Sequence, residues 1–191
     1  MQASLLVLAG GDSRRMGRPK AWLEVGDTYL LRHVAERLGP AFSEVMVSFA
    51  EPEQLEEPVP YRVVFDRRPS AGPLAGIEAG LAAARNEVIF AVACDMPFVT
   101  QEVAQLAVAA ARSCDAAIAR IDGRPEPVCG AYRRSALPFI TGAVNTGRFK
   151  AADLVDELDV TWLEGLDPQL FLSLNTPGDL ERFRAEFASE R

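Results

Sequence analysis

The stretch ASLLVLAGGDSRRMGRPK, residues 3–20, joins a largely apolar run to a loop rich in glycine and positive charge. The run at 3–9 is short and stops at Gly10-Gly11, which is typical of a strand buried on both faces. Such strands occur in parallel sheets that helices cover on both sides. The stretch therefore predicts an α/β domain that begins with a buried strand and places a cationic glycine loop directly after it.

The rest of the chain alternates strand-like and helix-like segments. Short apolar runs predict further strands at 44–49, 62–65, 88–93, 115–119, 127–132 and 159–163. Helical spacing or capping residues predict helices at 28–38, 73–85, 102–112, 136–142 and 150–157, and a last one that starts at Thr176. This alternation implies right-handed crossovers and a mostly parallel sheet within one domain, residues 1–191.

Composition restricts the kind of partner. The 191 residues carry 20 Lys and Arg against 27 Asp and Glu, a formal net charge of −7, which argues against a nucleic acid partner. The apolar run at the amino end is far too short to span a bilayer, so no membrane contact is expected. The small cationic island in the glycine loop is better suited to a small anionic ligand than to a polymer.

Cysteine and histidine content excludes several chemistries. The three cysteines, Cys94, Cys114 and Cys129, include no CxxC pair, so neither a disulfide framework nor a structural zinc site is expected. A reducing cytoplasm is the simpler location. The single histidine, His33, lies in a predicted helix, which leaves no triad of the Ser-His-Asp kind unless that residue serves in it.

The glycine loop has the residue types that hold phosphates. Gly10 and Gly11 let backbone N–H groups approach a ligand closely, and Arg15 and Lys20 can neutralise a triphosphate and a leaving pyrophosphate. Lys20 follows Pro19 and precedes Ala21, so the loop does not match the phosphate-binding motif GxxxxGK[ST]. Its glycines do not have the spacing of the dinucleotide-binding motif GxGxxG either. The alternative is a flexible turn with solvated arginines, but the position directly after a buried first strand favours ligand binding.

Other polar residues follow strands at what is expected to be the same edge of the sheet. Asp95, after VIFAVA, is a candidate Mg²⁺ ligand, although it could instead bond to amides of its own turn. Asp66 could contact a ligand or end its strand in an ion pair within FDRRP. The segment AGPLAGIEAG, residues 71–80, could contact a base or ribose, or could serve close helix–sheet packing. Asn175, in LSLNTP, could present its amide to ligand or metal, or form a turn.

Together these motifs identify a family resemblance. LAGGDSRRMGRPK, GPLAGI, CDMPF, PVCGAYRR and LNTPGDL occur in order over nearly the whole chain, and their combination resembles the molybdenum-cofactor guanylyltransferases, a family of small nucleotidyltransferases. The resemblance implies a three-layer α/β/α Rossmann-like nucleotidyltransferase fold. It also implies Mg²⁺-dependent transfer of GMP from GTP to the molybdenum–molybdopterin cofactor, with release of pyrophosphate.

The same resemblance assigns roles to residues. Leu8, Ala9 and Gly10 would line the nucleotide, as Gly11 of the same loop is expected to do from its lack of a side chain, and Lys20 would contact the phosphates. Asp66 would be a nucleotide contact, Asp95 would hold Mg²⁺, and Asn175 would be the late active-site asparagine. One departure is visible, because family members can carry a nucleotide-contacting asparagine where this chain reads VSFAEPEQ, residues 47–54.

Three alternatives stay open at this point. The first two are the same chemistry with another nucleotide or acceptor, as in a molybdopterin cytidylyltransferase or a small sugar-phosphate nucleotidyltransferase. The third is a nucleotide-binding regulatory module that releases no pyrophosphate. The resemblance further implies contact with proteins that deliver or receive molybdenum cofactor.

Overall fold

A single mixed sheet organises the protein. The computed structural model describes residues 1–11, 18–68, 72–150, 154 and 156–189, the last four of them by backbone alone. In these residues the strands are β1 (Ser4–Leu8), β2 (Glu24–Val25), β3 (Thr28–Tyr29), β4 (Glu44–Phe49), β5 (Arg62–Phe65), β6 (Val88–Ala93), β7 (Ala116–Ile121), β8 (Arg124–Arg133) and β9 (Val160–Leu163). The α-helices are α1 (Leu30–Leu38), α2 (Gly72–Ala83), α3 (Gln101–Ala110), α4 (Leu137–Asn145) and α5 (Pro177–Ser189).

Seven of the strands form the main sheet in the order β5-β4-β1-β6-β8-β7-β9. Strands β5, β4, β1 and β6 are parallel, as are β7 and β9, whereas β8 runs antiparallel to both its neighbours. The chain first builds outward from β1 to β4 and β5, and then returns to the other side of β1 with β6. The carboxyl end of β1 is therefore the switch point at which open α/β sheets bind ligands.

The core lies on both faces of the sheet, as the continuous apolar strands predict. Leu5 and Val7 of β1 pack in one cluster with residues of α1 and α3, whereas Leu6 and Leu8 pack in another with α2 and α4. Successive side chains of a strand point to opposite faces, so β1 contributes to both layers. The result is the expected three-layer α/β/α arrangement.

Two glycines bring α2 unusually close to β1. A Cβ added to Gly76 would lie 2.9 Å from both Leu8 Cδ2 and Ser48 Oγ, and one added to Gly80 would lie 2.3 Å from Leu6 Cδ2. Only a residue without a side chain fits at either position without a shift of its neighbours. The packing interpretation of AGPLAGIEAG is confirmed at both glycines.

Most predicted elements are confirmed, and the strands at 44–49, 62–65 and 88–93 have their expected bounds. The helix predicted at 28–38 begins only at Leu30, because Thr28–Tyr29 pairs with Glu24–Val25 in a hairpin. Gly26 has φ +58 in that turn, and a Gly-Asp pair between two short runs is a recognised hairpin signal. Most of the helix predicted at 150–157 lies outside the described residues.

A third apolar cluster joins α5 to this hairpin. Leu180 and Phe183 of α5 pack there with Leu174 and with Leu23, Val25 and Leu30. Across the described residues, no helix combines the length and apolarity that a bilayer span requires.

Candidate active site

A cleft of about 650 Å³ lies at the carboxyl edge of the parallel strands. The register explains why residues from distant segments meet there, because Leu8 at the end of β1 lies opposite both Ser48 of β4 and Ala93 of β6. In the described part of the chain the cleft is lined by Leu8, Ala9, Gly10, Gly11, Lys20, Ser48, Ala50, Glu51, Gln54, Asp66, Gly72, Pro73, Gly76, Ala93, Cys94, Asp95, Val128 and Ser173.

The residues after β1 continue its strand pairing into the cleft. The Ala9 N–H donates to the Ser48 carbonyl at 2.8 Å, and the Cys94 N–H donates to the Leu8 carbonyl at 3.0 Å. A Cβ on Gly10 would lie only 2.7 Å from the Ala50 nitrogen, so glycine allows the two backbones to approach there. The structure thus places Leu8 to Gly11 along the cleft wall, where the sequence predicts nucleotide contact.

Lys20 begins a short 3₁₀ turn, Lys20–Trp22, that is anchored by its buried tryptophan. Trp22 stacks on Phe49 with ring centroids 6.1 Å apart, and its Nε1–H donates to the Gln54 carbonyl at 2.7 Å. This anchor fixes the base of the lysine while its side chain extends into the cleft.

The Lys20 ammonium joins two other predicted site residues. It donates to Asp95 Oδ2 at 2.6 Å and to Asn175 Oδ1 at 2.8 Å. The carboxylate of Asp95 therefore pairs with a cation from a distant segment. Asn175 also has a turn role, since its Nδ2 donates to the Ser173 carbonyl at 3.4 Å.

The backbone joins the same segments. The Leu174 N–H donates to the Asp95 carbonyl at 2.9 Å, which holds the segment before α5 against the end of β6. Asn175 thus contacts Lys20, which lines the cleft, although about 80 positions of sequence separate it from Asp95.

Asp66 lines the cleft on the β4–β5 side. Its Oδ1 accepts a 3.0 Å hydrogen bond from Ser48 Oγ, whereas Arg68 donates to the Val144 carbonyl. Burial raises the pKa of Asp66 to about 6, against the lowering effect of the Ser48 hydrogen bond and with a further contribution from the Glu78 charge. This carboxyl group is poorly solvated and can accept hydrogen bonds from a ligand.

Gln54 organises the end of VSFAEPEQ, residues 47–54, the segment in which this chain lacks the asparagine found in family members. Gln54 Oε1 accepts from the Ala50 N–H at 2.8 Å and from the Glu51 N–H at 3.3 Å, within a reciprocal capping box. Gln54 and Glu51 line the cleft, and the sequence analysis missed both. The available signal was the glutamine at the third position after Glu51, which is typical of a capping box, although glutamate is not a usual capping residue.

The oxygens around the Lys20 ammonium also suit a divalent cation. Asp95 and Asn175 supply a carboxylate and an amide oxygen that converge on one cationic group, and Mg²⁺ prefers such hard donors. Among the described residues, no cluster of three or more His, Cys, Asp and Glu side chains could hold a metal by itself. Because Mg²⁺ usually binds through one or two carboxylates plus substrate phosphates, these residues fit a cation that arrives with a nucleotide.

Three other residues singled out in the sequence are Arg15, Cys94 and His33. Arg15, the predicted second phosphate clamp, lies outside the described residues. Cys94 is buried, which raises its thiol pKa and suits its expected role as a small apolar side chain. His33 packs its ring edge-on against Phe183 with centroids 5.3 Å apart, within the helix where the sequence places it.

Comparison with known proteins identifies the family. Residues 5–162 match the family described as the MobA-like NTP transferase domain. The chain belongs to this family. Among MobA-like relatives, the probable molybdenum cofactor guanylyltransferase of Methanosarcina mazei is 37% identical, over 93% of this chain and 88% of the relative. That of Carboxydothermus hydrogenoformans is 32% identical, over 97% of this chain and 96% of the relative.

Solved structures agree with the MobA-like assignment. The molybdopterin-guanine dinucleotide biosynthesis protein A of Archaeoglobus fulgidus superposes with a TM-score of 0.85 at 28% identity, covering 98% of this chain and 100% of the other. The 2-C-methyl-D-erythritol 4-phosphate cytidylyltransferase of Thermus thermophilus superposes with a TM-score of 0.75 at 23% identity, covering 98% and 100%. The second likeness extends only to the fold, which is the nucleotidyltransferase fold.

Proposed function

We propose that this chain transfers GMP from GTP to the molybdenum–molybdopterin cofactor and releases pyrophosphate. The observation that carries the proposal is the convergence of Lys20, Asp95 and Asn175 beside the glycine loop, at the switch point of a nucleotidyltransferase fold. The names of full-length relatives at 29–37% identity support the choice of GTP and of the cofactor as acceptor.

The reaction is a displacement at the α-phosphorus of GTP. An oxygen of the acceptor's terminal phosphate forms a bond to that phosphorus, and the bond to the oxygen that bridges to the β-phosphate breaks. A phosphate monoester has a second pKa of about 6, so near neutral pH the acceptor is already mostly ionised. No general base is required, which agrees with a chain whose single histidine packs against Phe183.

The residues of this chain act by positioning and by charge. The backbone from Leu8 to Gly11 lines the nucleotide, and Asp66 accepts hydrogen bonds from it. Lys20 neutralises the phosphates and the charge that develops on the leaving pyrophosphate. Arg15 is proposed as a second clamp on the strength of its place in the loop.

Asp95 is the proposed ligand of Mg²⁺, with Asn175 beside it. When bound, the cation would neutralise phosphate charge and orient the reacting groups. Lys20 pairs with these same oxygens, so nucleotide and cation binding would require the ammonium to exchange carboxylate and amide partners for phosphate oxygens.

The proposed reaction also bears on the protein's partners and location. The product is a cofactor that other proteins use, so transient contact with proteins that deliver or accept molybdenum cofactor is part of the proposal. A cytoplasmic location is proposed on the same basis, together with the absence of cysteine pairing motifs in the sequence.

A thermal-shift panel tests the nucleotide. GTP, CTP, ATP and UTP are each added with and without Mg²⁺, and a ligand raises the unfolding temperature by binding the folded state. Selective stabilisation by GTP is expected, with the larger shift in Mg²⁺. Selective stabilisation by CTP would overturn the substrate assignment in favour of a cytidylyltransferase.

Pyrophosphate release tests the reaction itself. With GTP, Mg²⁺ and molybdenum–molybdopterin, stoichiometric pyrophosphate and the guanine dinucleotide are expected. Binding of GTP without pyrophosphate release would instead support a regulatory nucleotide-binding module.

A further inference from the structure

Asn175 contacts the Lys20 ammonium with its side chain, and an acidic residue of α5 holds its backbone. Asp179 Oδ2 accepts hydrogen bonds from the Asn175 N–H at 3.0 Å and from the Thr176 N–H at 2.8 Å. The other carboxylate oxygen, Oδ1, accepts from Arg182 Nη2 at 2.6 Å. The arginine therefore engages one oxygen while the second faces the two amides.

This arrangement extends beyond ordinary helix capping. In a capping box the acidic side chain bonds to the N–H of the capping residue, and the capping hydroxyl accepts from the N–H of the acidic residue. Both bonds are present, since Thr176 Oγ1 accepts from the Asp179 N–H at 3.2 Å. The additional bond reaches one residue further out, to Asn175.

The segment before α5 is thus attached on both sides of the site residue. The Leu174 N–H is fixed to the Asp95 carbonyl, and the Asn175 N–H is fixed to Asp179. Hydrogen bonds to an ionised carboxylate are about twice as strong as neutral ones. Between these two attachments the Asn175 amide has little freedom to leave the Lys20 ammonium, which lies 2.8 Å from its oxygen.

We propose that Asp179 is a positioning residue: its carboxylate holds the Asn175 backbone so that the Asn175 amide stays directed at Lys20 and Asp95. Among the described residues, neither Asn175 nor Asp179 lines the cleft, and Asn175 acts on it through the Lys20 ammonium. The inference rests on the proposed function only in that it assigns Asn175 and Lys20 to the transfer reaction. It makes the amino end of α5 a part of the active-site framework.

Matched variants separate positioning from helix stability. Asp179→Ala removes both bonds to the amides, whereas Thr176→Ala removes a bond of the same cap and leaves the bond from Asn175 to Asp179. We expect a kcat at least tenfold lower for Asp179→Ala, as for the loss of about 1.4 kcal/mol of transition-state stabilisation. The kcat of Thr176→Ala should stay within about twofold of the parent, even if its unfolding temperature falls by as much as that of Asp179→Ala.

A conservative variant covers the case in which Asp179→Ala folds poorly. Asp179→Asn keeps an oxygen that accepts from both amides, so most of the lost kcat should return. A double-mutant cycle with Asn175→Ala gives the second readout. If Asp179 acts through Asn175, adding Asp179→Ala to Asn175→Ala should change kcat by less than about twofold.

Amide hydrogen exchange tests the positioning without any turnover. Protection of the Leu174 and Asn175 amides should fall in Asp179→Ala and persist in Thr176→Ala. Equal losses of kcat and of protection in the two variants, or fully multiplicative effects in the cycle, would overturn the proposal. If the parent forms no dinucleotide while the exchange pattern holds, the proposed function fails and the positioning stands.

Discussion

Lys20 Nζ lies 2.6 Å from Asp95 Oδ2, across a gap of 75 positions in the sequence. Each side chain is 18% exposed, so the pair is shielded enough for its attraction to exceed that of a surface ion pair. Asn175 Oδ1 accepts from the same ammonium at 2.8 Å. A proposed phosphate clamp and a proposed metal ligand therefore neutralise each other, and each would have to change partners on substrate binding.

Replacing Lys20 should affect metal and nucleotide in opposite directions. In Lys20→Met the carboxylate of Asp95 loses its cationic partner, so nucleotide-free Mn²⁺ should bind several-fold more tightly. GTP should bind at least about tenfold more weakly, because a charge-assisted contact to phosphate is lost. Electron paramagnetic resonance of free Mn²⁺ and calorimetry with GTP measure the two effects.

Arg18→Met is the matched control for this prediction. Arg18 also carries a positive charge, but it pairs with Glu56 in an exposed ion pair. Both affinities should stay near those of the parent in this variant. Mn²⁺ binding that is unchanged or weaker in Lys20→Met would contradict the competition between ammonium and metal.

Asp95→Asn should nearly abolish dinucleotide formation. The amide keeps the shape of the carboxylate but loses the charge that a divalent cation requires. A loss of about 3 kcal/mol of transition-state stabilisation corresponds to a roughly 10²-fold lower kcat. Pyrophosphate release measures the loss. Asp167→Asn, in an exposed cap whose bond to the Gln169 N–H an amide oxygen can keep, should leave the rate unchanged. Near-normal turnover of Asp95→Asn would refute the metal assignment.

Asp66→Asn should stabilise the protein at neutral pH but not in acid. Burial raises the pKa of Asp66 from 3.8 to about 6, so the folded state binds the proton more tightly than the unfolded state. The parent therefore loses stability as pH rises from about 4 to about 6. This shift corresponds to about 3 kcal/mol, which solvent screening of the partly exposed group reduces. Denaturant titrations should therefore give Asp66→Asn an advantage of about 2 kcal/mol above pH 7 that disappears below pH 4.

Ser48→Ala tests the cause of that pH dependence. The Ser48 hydroxyl donates to Asp66 Oδ1 and lowers its pKa, so its removal should raise that pKa further. The fall in stability should then extend to higher pH than in the parent. An Asp66→Asn advantage that is the same at pH 4 and pH 8 would show that ionisation of Asp66 is not its origin.

Gly10→Ala should destabilise the protein and weaken GTP binding. The new methyl group would lie 2.7 Å from the Ala50 backbone nitrogen, so the loop or the end of β4 must shift, at a cost of about 1–3 kcal/mol. Gly142→Ala is the control, since in the described part of the chain no atom beyond its own turn of α4 lies within 4 Å of the added Cβ. It should stabilise by about 0.5–1 kcal/mol. An unchanged unfolding temperature for Gly10→Ala would contradict the close approach.

Local sequence patterns predicted the bounds of the helices and strands better than they predicted how the strands pair. The strand at 88–93 has its expected bounds because its apolar run begins after Glu87 and ends at Cys94-Asp95. The hairpin Glu24–Tyr29 was missed because each of its strands has only two residues, which is too short to show the alternation of apolar and polar residues that indicates a strand. The antiparallel direction of β8 was not predicted either, since strand direction depends on how the chain returns to the sheet.

The sequence by itself determined the α/β layering, the glycine loop after β1, and the residue types from which a phosphate and metal site could be built. Those features follow from short-range period and composition. Only the tertiary structure decided that Lys20 pairs with both Asp95 and Asn175, and that burial raises the pKa of Asp66. Distances and desolvation depend on segments packed together from far apart in the chain, and no local pattern specifies them.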